Sequence, residues 1–217
     1  MRHAFVTISL FTSCLATASQ ANENFTVVLH ARTPAGTGSC TASGLPDCLG
    51  IRPTTQVAAN NEFRLYIFIN NFSKIFALLT AFAWPTDWSI VGDEVSVFGC
   101  RGATQAYAHV PVEPGGPLEG TLATAFDCVS GPGLAAIARI DFFASGGGCL
   151  TQLNPRQGTG RVEVLDCQYH STTLDASDPR QQPRLGSICV GVPGRDACDA
   201  LVAFEPVTWG KIKASYQ

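Results

Sequence analysis

The cysteines constrain the fold of this chain more than any other feature of its sequence, because an even set in an exported chain is typical of disulfides. There is no Cys-x-x-Cys, and the three histidines beyond residue 21 do not stand at metal-ligand spacing. We therefore predict four disulfides and no metal site. The eight cysteines beyond residue 21 are Cys40, Cys48, Cys100, Cys128, Cys149, Cys167, Cys189 and Cys198.

The pairing of these cysteines stays open, since eight cysteines permit on the order of a hundred connectivities. Local turns favour a sequential pairing. Residues 43–47 and 191–196 are turn-rich, so the cysteines that flank each turn can meet without long-range topology. The expected pairs are Cys40–Cys48, Cys100–Cys128, Cys149–Cys167 and Cys189–Cys198.

The N-terminal segment predicts export. A basic start at Arg2 is followed by an apolar run and by small residues up to Ala21, the pattern of a secretory signal over residues 1–21. The apolar run is about 12 residues, too short to span a membrane as a helix, and no transmembrane segment is predicted. In the alternative interpretation, residues 10–14 form a lipobox and Cys14 is lipidated. Either way we expect a secreted or cell-surface protein.

The composition excludes one class of partner. The formal net charge is −3, charged residues make up only 14%, and no basic patch stands out. We therefore expect no nucleic acid as a partner. The 21 glycines and 13 prolines are typical of a chain with many turns.

Strand patterns dominate the chain. Residues 25–31 form a β-branched run, residues 63–69 alternate in hydrophobicity, and residues 74–84 are apolar on both faces. Further strands are expected at residues 93–100, 119–128, 134–144, 149–153 and 161–168. Many short strands separated by Gly/Pro turns predict an all-β, antiparallel β-sandwich over residues 22–170 with disulfide-stapled loops. Residues 171–203 are expected to form a polar loop and a disulfide-closed segment, and residues 204–217 a short amphipathic helix or tail.

Catalytic motifs are absent from the sequence, so no catalytic residue and no cofactor is predicted. There is no Gly-x-Ser-x-Gly and no His-Glu-x-x-His, and His170 near Asp166 could supply only part of a catalytic set. Aromatic rings near loops can stack on sugars, although sandwiches also bury Trp in the core. The candidate ligand-binding residues are Trp84, Trp88, Tyr107 and Tyr169.

One region resembles a known class of domain. Residues 63–69, the turn Asn71-Phe72-Ser73, residues 75–82 and the corner from Trp84 to Trp88 are similar to the opening of cohesin-like and carbohydrate-binding β-sandwich domains of exported bacterial proteins. Residues 131–142 resemble a later strand of such folds. The resemblance implies a cohesin-like or jelly-roll sandwich, but cohesins lack the eight cysteines, and it transfers no binding residue to this chain.

These observations predict a non-enzymatic binding or adhesion module whose extracellular ligand is a carbohydrate or a protein. Two alternatives stay open. One is a secreted hydrolase of polysaccharide or peptide, for which Asp87, Asp93 and Glu94 are the best carboxylates. The other is a structural envelope or filament component. The sequence leaves the oligomeric state undetermined.

Overall fold

The protein is all-β. The computed structural model describes residues 24–33, 53–91, 98–99, 104–110, 118–130, 134–156 and 158–198, and for residues 98–99, 104–110, 118, 126 and 127 it describes the backbone only. The described chain forms two sheets and one short 3-10 turn at Gln182–Arg184. None of the described residues forms an apolar helix of membrane-spanning length.

The smaller sheet has five strands. Its order is β1, β3, β9 and β5, and β6 also pairs with β9; all these pairs are antiparallel. The bounds are β1 Thr26–Arg32, β3 Asn61–Asn70, β5 Trp88–Ile90, β6 Phe98–Gly99 and β9 Ala135–Ala144.

The larger sheet has eight strands and is built around β4. On one side of β4 lies β8, which in turn pairs with β7, and on the other side lie β10 and β11. The outer strand β12 pairs with β11, while β13 and β2 follow β10, and only the β13–β2 pair is parallel. The bounds are β2 Gln56–Val57, β4 Lys74–Trp84, β7 Thr104–Val110, β8 Leu118–Ser130, β10 Cys149–Leu153, β11 Val162–Leu165, β12 Ser171–Leu174 and β13 Ser187–Val190.

The two sheets pack face to face around the larger of two hydrophobic clusters. Alternate residues of β3 and β4, such as Leu65, Ile67, Leu78 and Phe82, point inward and are at most 1% exposed. The period-2 pattern read from the sequence therefore places one face of each sheet in the core. This two-layered arrangement is the one expected of a sandwich, and β4 coincides with the predicted apolar strand at residues 74–84.

The disulfides correct the predicted pairing. The structure pairs Cys149 with Cys189, not Cys167, because these residues lie directly opposite each other in the β10–β13 register. Cys128 of β8 pairs with Cys167, which follows β11, so this bond crosses the end of β4 from one neighbouring strand to the other. Cys198 is also disulfide-bonded.

Three of the four expected pairs, Cys100–Cys128, Cys149–Cys167 and Cys189–Cys198, are therefore wrong. Strand register brings together cysteines that are 39 and 40 residues apart in the chain, and it outweighs the local turns. The predicted pair Cys40–Cys48 lies outside the described residues.

The predicted boundary at residue 170 also needs correction. β12 and β13 both belong to the larger sheet, so residues 171–203 contribute two strands where a polar loop was expected. The sequence Ser171–Leu174 is polar because this strand lies at the edge of the sheet, where only Leu174 turns into the core. The predicted signal at residues 1–21 and the predicted helix at residues 204–217 lie outside the described residues.

Candidate functional site

Part of the outer face of the larger sheet is built from small apolar residues. Where β11, β4 and β8 run side by side, Leu165 aligns with Ala77 and Ala125, and Leu79 aligns with Ala123. All five side chains are partly buried, unlike the fully buried residues that alternate with them. Small side chains make this part of the face flat, and a flat, uncharged surface suits contact with another surface better than enclosure of a small ligand.

The charged groups described on this face are engaged within the chain. The Glu119 carboxylate forms an ion pair with Arg156 at 3.0 Å. The Glu163 carboxylate accepts hydrogen bonds from the hydroxyls of Ser171, at 2.5 Å, and Thr159, at 3.3 Å. Salt screening and mobility weaken such exposed contacts, but they direct both carboxylates toward partners in their own chain.

A loop crosses part of the outer face. β10 and β11 pair with the same side of β4, one after the other along that strand, and the loop with the described residues 154–156 and 158–161 separates them. In this loop Arg156 reaches Glu119 on β8, and a Cβ at Gly158 would lie only 2.7 Å from Cδ2 of Leu79. Gly158 has φ +64°, which favours glycine. The loop therefore packs on Leu79 and leaves the Ala77 end of the face more open.

An exposed tyrosine stands at that open end. Tyr169 is 69% exposed, and it contacts the half-buried Phe76 edge to face at a centroid distance of 5.1 Å. The register between β4 and β8 is irregular at this point, so Ile75 and Leu78 are both buried while Phe76 and Ala77 between them are only partly buried. The irregularity thus adds an aromatic ring to the apolar face beside Leu165 and Ala77.

The turn that carries Tyr169 is held by a buried carboxylate. Asp166 is 2% exposed, and its Oδ1 accepts hydrogen bonds from the backbone N–H groups of Gln168 and His170, both at 2.8 Å. Its Oδ2 lies 3.1 Å from Nδ1 of the His170 ring. Burial alone would raise the pKa of Asp166, but these hydrogen bonds from Gln168 and His170 outweigh it and lower the pKa.

This turn fixes Tyr169 in an unusual conformation. Its φ is +64°, a region that bulky side chains rarely adopt and that costs on the order of 1 kcal/mol or more. Hydrogen bonds hold this conformation. The Tyr169 N–H donates to the Asp166 carbonyl, the Asp166 N–H donates to the His170 carbonyl, and the Asp166 carboxylate accepts from the N–H groups on either side of Tyr169. An exposed aromatic ring held at such a cost is a candidate for function.

The other predicted aromatic residues lie elsewhere. Trp84 and Trp88 are only 2% and 1% exposed and pack against Phe142 and Phe63, so they belong to the core and offer no ring face to a ligand. Tyr107 lies on β7 opposite Leu122, and its side chain is outside the described part of the molecule. Of the three predicted residues whose side chains are described, only Tyr169 lies at the surface.

The carboxylates considered for catalysis do not converge among the described residues. Asp93 and Glu94 lie outside them, and Asp87 accepts a hydrogen bond from Ser145 through its backbone carbonyl at the end of the turn before β5. The His170 ring is hydrogen-bonded to Asp166, and the described chain brings no hydroxyl or thiol within hydrogen-bond distance of it. No group of three His, Cys, Asp or Glu side chains in the described part of the chain could hold a metal ion.

The Asp175 carboxylate has a structural role in the loop after β12. Its Oδ1 accepts hydrogen bonds from the Ser177 hydroxyl at 2.6 Å, from Asn154 at 2.7 Å and from the Ser177 N–H at 2.9 Å. These bonds, from Ser177 first, lower the pKa of Asp175 to about 2. The carboxylate thereby joins this loop to the loop after β10.

Phe76, Leu165 and the alanines of the outer face are the features that sequence reasoning missed. Residues 74–84 are apolar on both faces, which predicts a central strand but does not say that one face is left partly open. A partial signal was present, because alanine occupies positions 77, 81 and 83 on one face of β4. Of these, Ala81 and Ala83 are buried, at 5% and 7% exposed, and Ala77 is partly exposed.

Comparison with protein-family models gives no match, and neither does comparison with curated proteins. Solved structures similar to this chain include cohesin modules, as the sequence resemblance indicated. A non-cellulosomal cohesin from Archaeoglobus fulgidus is 12% identical and has a TM-score of 0.41, with 77% of this chain and 92% of that chain covered.

Two further cohesins are similar at the same level. The cohesin of a cohesin–dockerin complex from Clostridium thermocellum is 8% identical, with a TM-score of 0.41 and coverage of 76% of this chain and 99% of that chain. A cohesin module of a family 33 glycoside hydrolase from Clostridium perfringens is 11% identical, with a TM-score of 0.35 and coverage of 76% and 98%. At these scores no binding residue is carried over to this chain.

Proposed function

We propose that this chain is an exported, non-catalytic module that binds a protein partner through the open end of the larger sheet's outer face. We call this surface the Tyr169 patch and define it by Tyr169, Phe76, Leu165, Ala77 and Ala125. The observation that carries the proposal is the exposed Tyr169 ring, held at positive φ by the turn around the buried Asp166.

The chemistry of the patch supports a protein as the ligand. Its five side chains are uncharged, and four of them carry no polar atom, so the partner surface that fits it is apolar and uncharged at its centre. Tyrosine offers a large contact area at a low entropic cost and is frequent among the residues that dominate protein interfaces. The disulfides Cys128–Cys167 and Cys149–Cys189 support export, since such bonds persist in oxidising compartments.

Site-specific photo-crosslinking tests the proposal. Benzoylphenylalanine replaces Tyr169 in one sample and Val192 in a matched control, because Val192 is the other large apolar side chain that is strongly exposed in the described chain, at 57%. Each sample is irradiated with the exported proteins of the source organism. We expect a discrete protein adduct from position 169 only, suppressed by excess wild-type protein but not by the Tyr169→Ala variant.

Other outcomes contradict the proposal. Adducts of equal yield from both positions, or suppression by wild type and Tyr169→Ala alike, would mean that the patch is not the contact surface. An adduct that stains as polysaccharide and lacks a second polypeptide would assign the patch to a carbohydrate. No adduct from either position would argue against a protein ligand at this surface.

A further inference from the structure

A second surface feature lies far from the Tyr169 patch in the strand order. A cleft of about 270 Å³ opens where the edge strand β1 of the smaller sheet meets the edge strand β2 of the larger sheet. The volume lies below the range of about 300–1,000 Å³ that is usual for small-molecule pockets, so the cleft suits a group of few atoms. Its lining includes Arg32, Gln56, Val57, Asn61 and Glu62.

The buried ring of His30 adjoins this cleft through Arg32. His30 is 5% exposed, and each of its ring nitrogens faces an N–H group. The backbone N of Thr54 lies 2.8 Å from Nδ1, and Nε of Arg32 lies 2.9 Å from Nε2. The Thr54 N–H is fixed, because the Thr54 carbonyl accepts a hydrogen bond from the Ala31 N–H at 2.9 Å.

A neutral imidazole accepts only one hydrogen bond through its ring nitrogens, since the other nitrogen carries the proton. Burial, reinforced by the positive charge of Arg32, lowers the pKa of His30 to about 4, so the ring is neutral at pH 7. The fixed Thr54 N–H takes the acceptor, Nδ1. Nε2 therefore bears the hydrogen, and it points at the N–H of Arg32 with no acceptor between them.

Two donors that converge in this way are complementary to an anion. We propose that the His30 Nε2–H and the Arg32 guanidinium together bind a carboxylate at the β1 end of the cleft. Arg32 lines the cleft, its side chain is exposed, and no described carboxylate pairs with it, so it can hold an anion of the cleft next to the His30 ring that it contacts. The planar guanidinium matches the two oxygens of a carboxylate.

The rest of the cleft favours a singly charged ligand. Glu62 lines the same cleft and repels a doubly charged anion more strongly than a singly charged one, which disfavours phosphate and sulfate relative to a carboxylate. Gln56 and Asn61 supply amide groups, and Val57 supplies an apolar wall. The ligand is thus a small carboxylic acid or the terminal carboxylate of a peptide, which share this chemistry.

NMR of the ¹⁵N-labelled, oxidised protein tests the assignment. The ring nitrogens of His30 and Nε of Arg32 are followed at constant ionic strength during titration with acetate, acetamide, inorganic phosphate, and an acetylated peptide with a free or an amidated C-terminus. We expect His30 to be the Nε2–H tautomer and its resonances to shift saturably with acetate or with the free-acid peptide. The ligand that binds more tightly shows whether the site takes a small carboxylic acid or a peptide C-terminus. Acetamide and the amidated peptide should give none.

Two variants provide the control. Arg32→Gln should weaken carboxylate binding at least about tenfold, because a charged hydrogen bond is lost. Arg156→Gln, which removes another exposed arginine, should leave binding unchanged. The proposal is overturned if the ring is the Nδ1–H tautomer, if shifts rise linearly and equally in both variants, or if phosphate binds as well as acetate.

Discussion

Gln152 joins the two sheets through the core, and its replacement gives a prediction whose size follows from the structure. This amide is 7% exposed, and its Nε2 donates hydrogen bonds to the Val27 carbonyl at 3.1 Å and the Gly186 carbonyl at 3.2 Å. Its Oε1 accepts one from the Thr80 hydroxyl at 3.4 Å. We predict that Gln152→Met lowers the free energy of unfolding by about 3 kcal/mol.

The magnitude comes from the groups that the change leaves behind. The Val27 carbonyl keeps a partner, since it also accepts a hydrogen bond from the Gly186 N–H at 2.9 Å. The Gly186 carbonyl and the buried Thr80 hydroxyl lose the amide that they contact, and each buried polar group left unsatisfied costs about 1–3 kcal/mol. Methionine nearly conserves the side-chain volume, so no large cavity adds to this cost.

Equilibrium unfolding in urea under oxidising conditions measures the effect, with an unchanged m-value as the sign that only stability has changed. The double variant Thr80→Val with Gln152→Met should cost at least about 1 kcal/mol less than the sum of the two single variants, because it removes both partners of one bond. The reasoning is refuted if Gln152→Met lies within about 0.5 kcal/mol of wild type or if the two changes are additive.

Three further predictions concern stability. Arg64 is nearly buried and donates two hydrogen bonds to Asp141, at 2.7 and 2.8 Å, so Asp141→Asn should lower the free energy of urea unfolding by about 3 kcal/mol. Glu119→Gln at the exposed ion pair should lower it by less than about 1 kcal/mol, and equal losses in the two variants would contradict this. Because the pKa of His30 is lowered from 6.5 to about 4, the folded ring takes up its proton at lower pH than the unfolded ring. The free energy of unfolding should therefore be constant above pH 6.5 and fall by about 3 kcal/mol toward pH 4. If a His30→Gln variant shows the same fall, His30 is not the group responsible. Replacing Cys128 and Cys167 together by serine opens a loop of 39 residues and should cost about 4 kcal/mol in thermal unfolding, and an unchanged melting temperature would show that this bond does not form.

The sequence predicts the strands that alternate or are apolar throughout, and it misses β7 and the short strands β2, β5, β12 and β13. β3 and β4 were expected because their inward side chains are large and regularly spaced. β7, Thr104–Val110, carries alanine, glutamine and threonine and gives little strand signal, yet it pairs with β8 along its whole length. Pairing with a neighbour decides such strands, and a single sequence does not contain the neighbour.

The disulfides and the candidate site show the same limit. Cys149 meets Cys189 because β13 returns beside β10, a non-local pairing that turn-rich spacers cannot indicate. Tyr169 could be named from the sequence as an aromatic near a loop, but its positive φ and its contact with Phe76 depend on the folded turn around Asp166.

The affinity of the cross-linked partner for variants of the Tyr169 patch tests the proposed function most directly. Once the adduct from position 169 identifies that protein, its dissociation constant is measured for wild type, Tyr169→Ala and Val192→Ala by calorimetry. We predict that Tyr169→Ala weakens binding at least about tenfold, as truncation of a central interface aromatic does, while Val192→Ala leaves it unchanged. Equal affinities of all three proteins, with folding intact, would contradict the account.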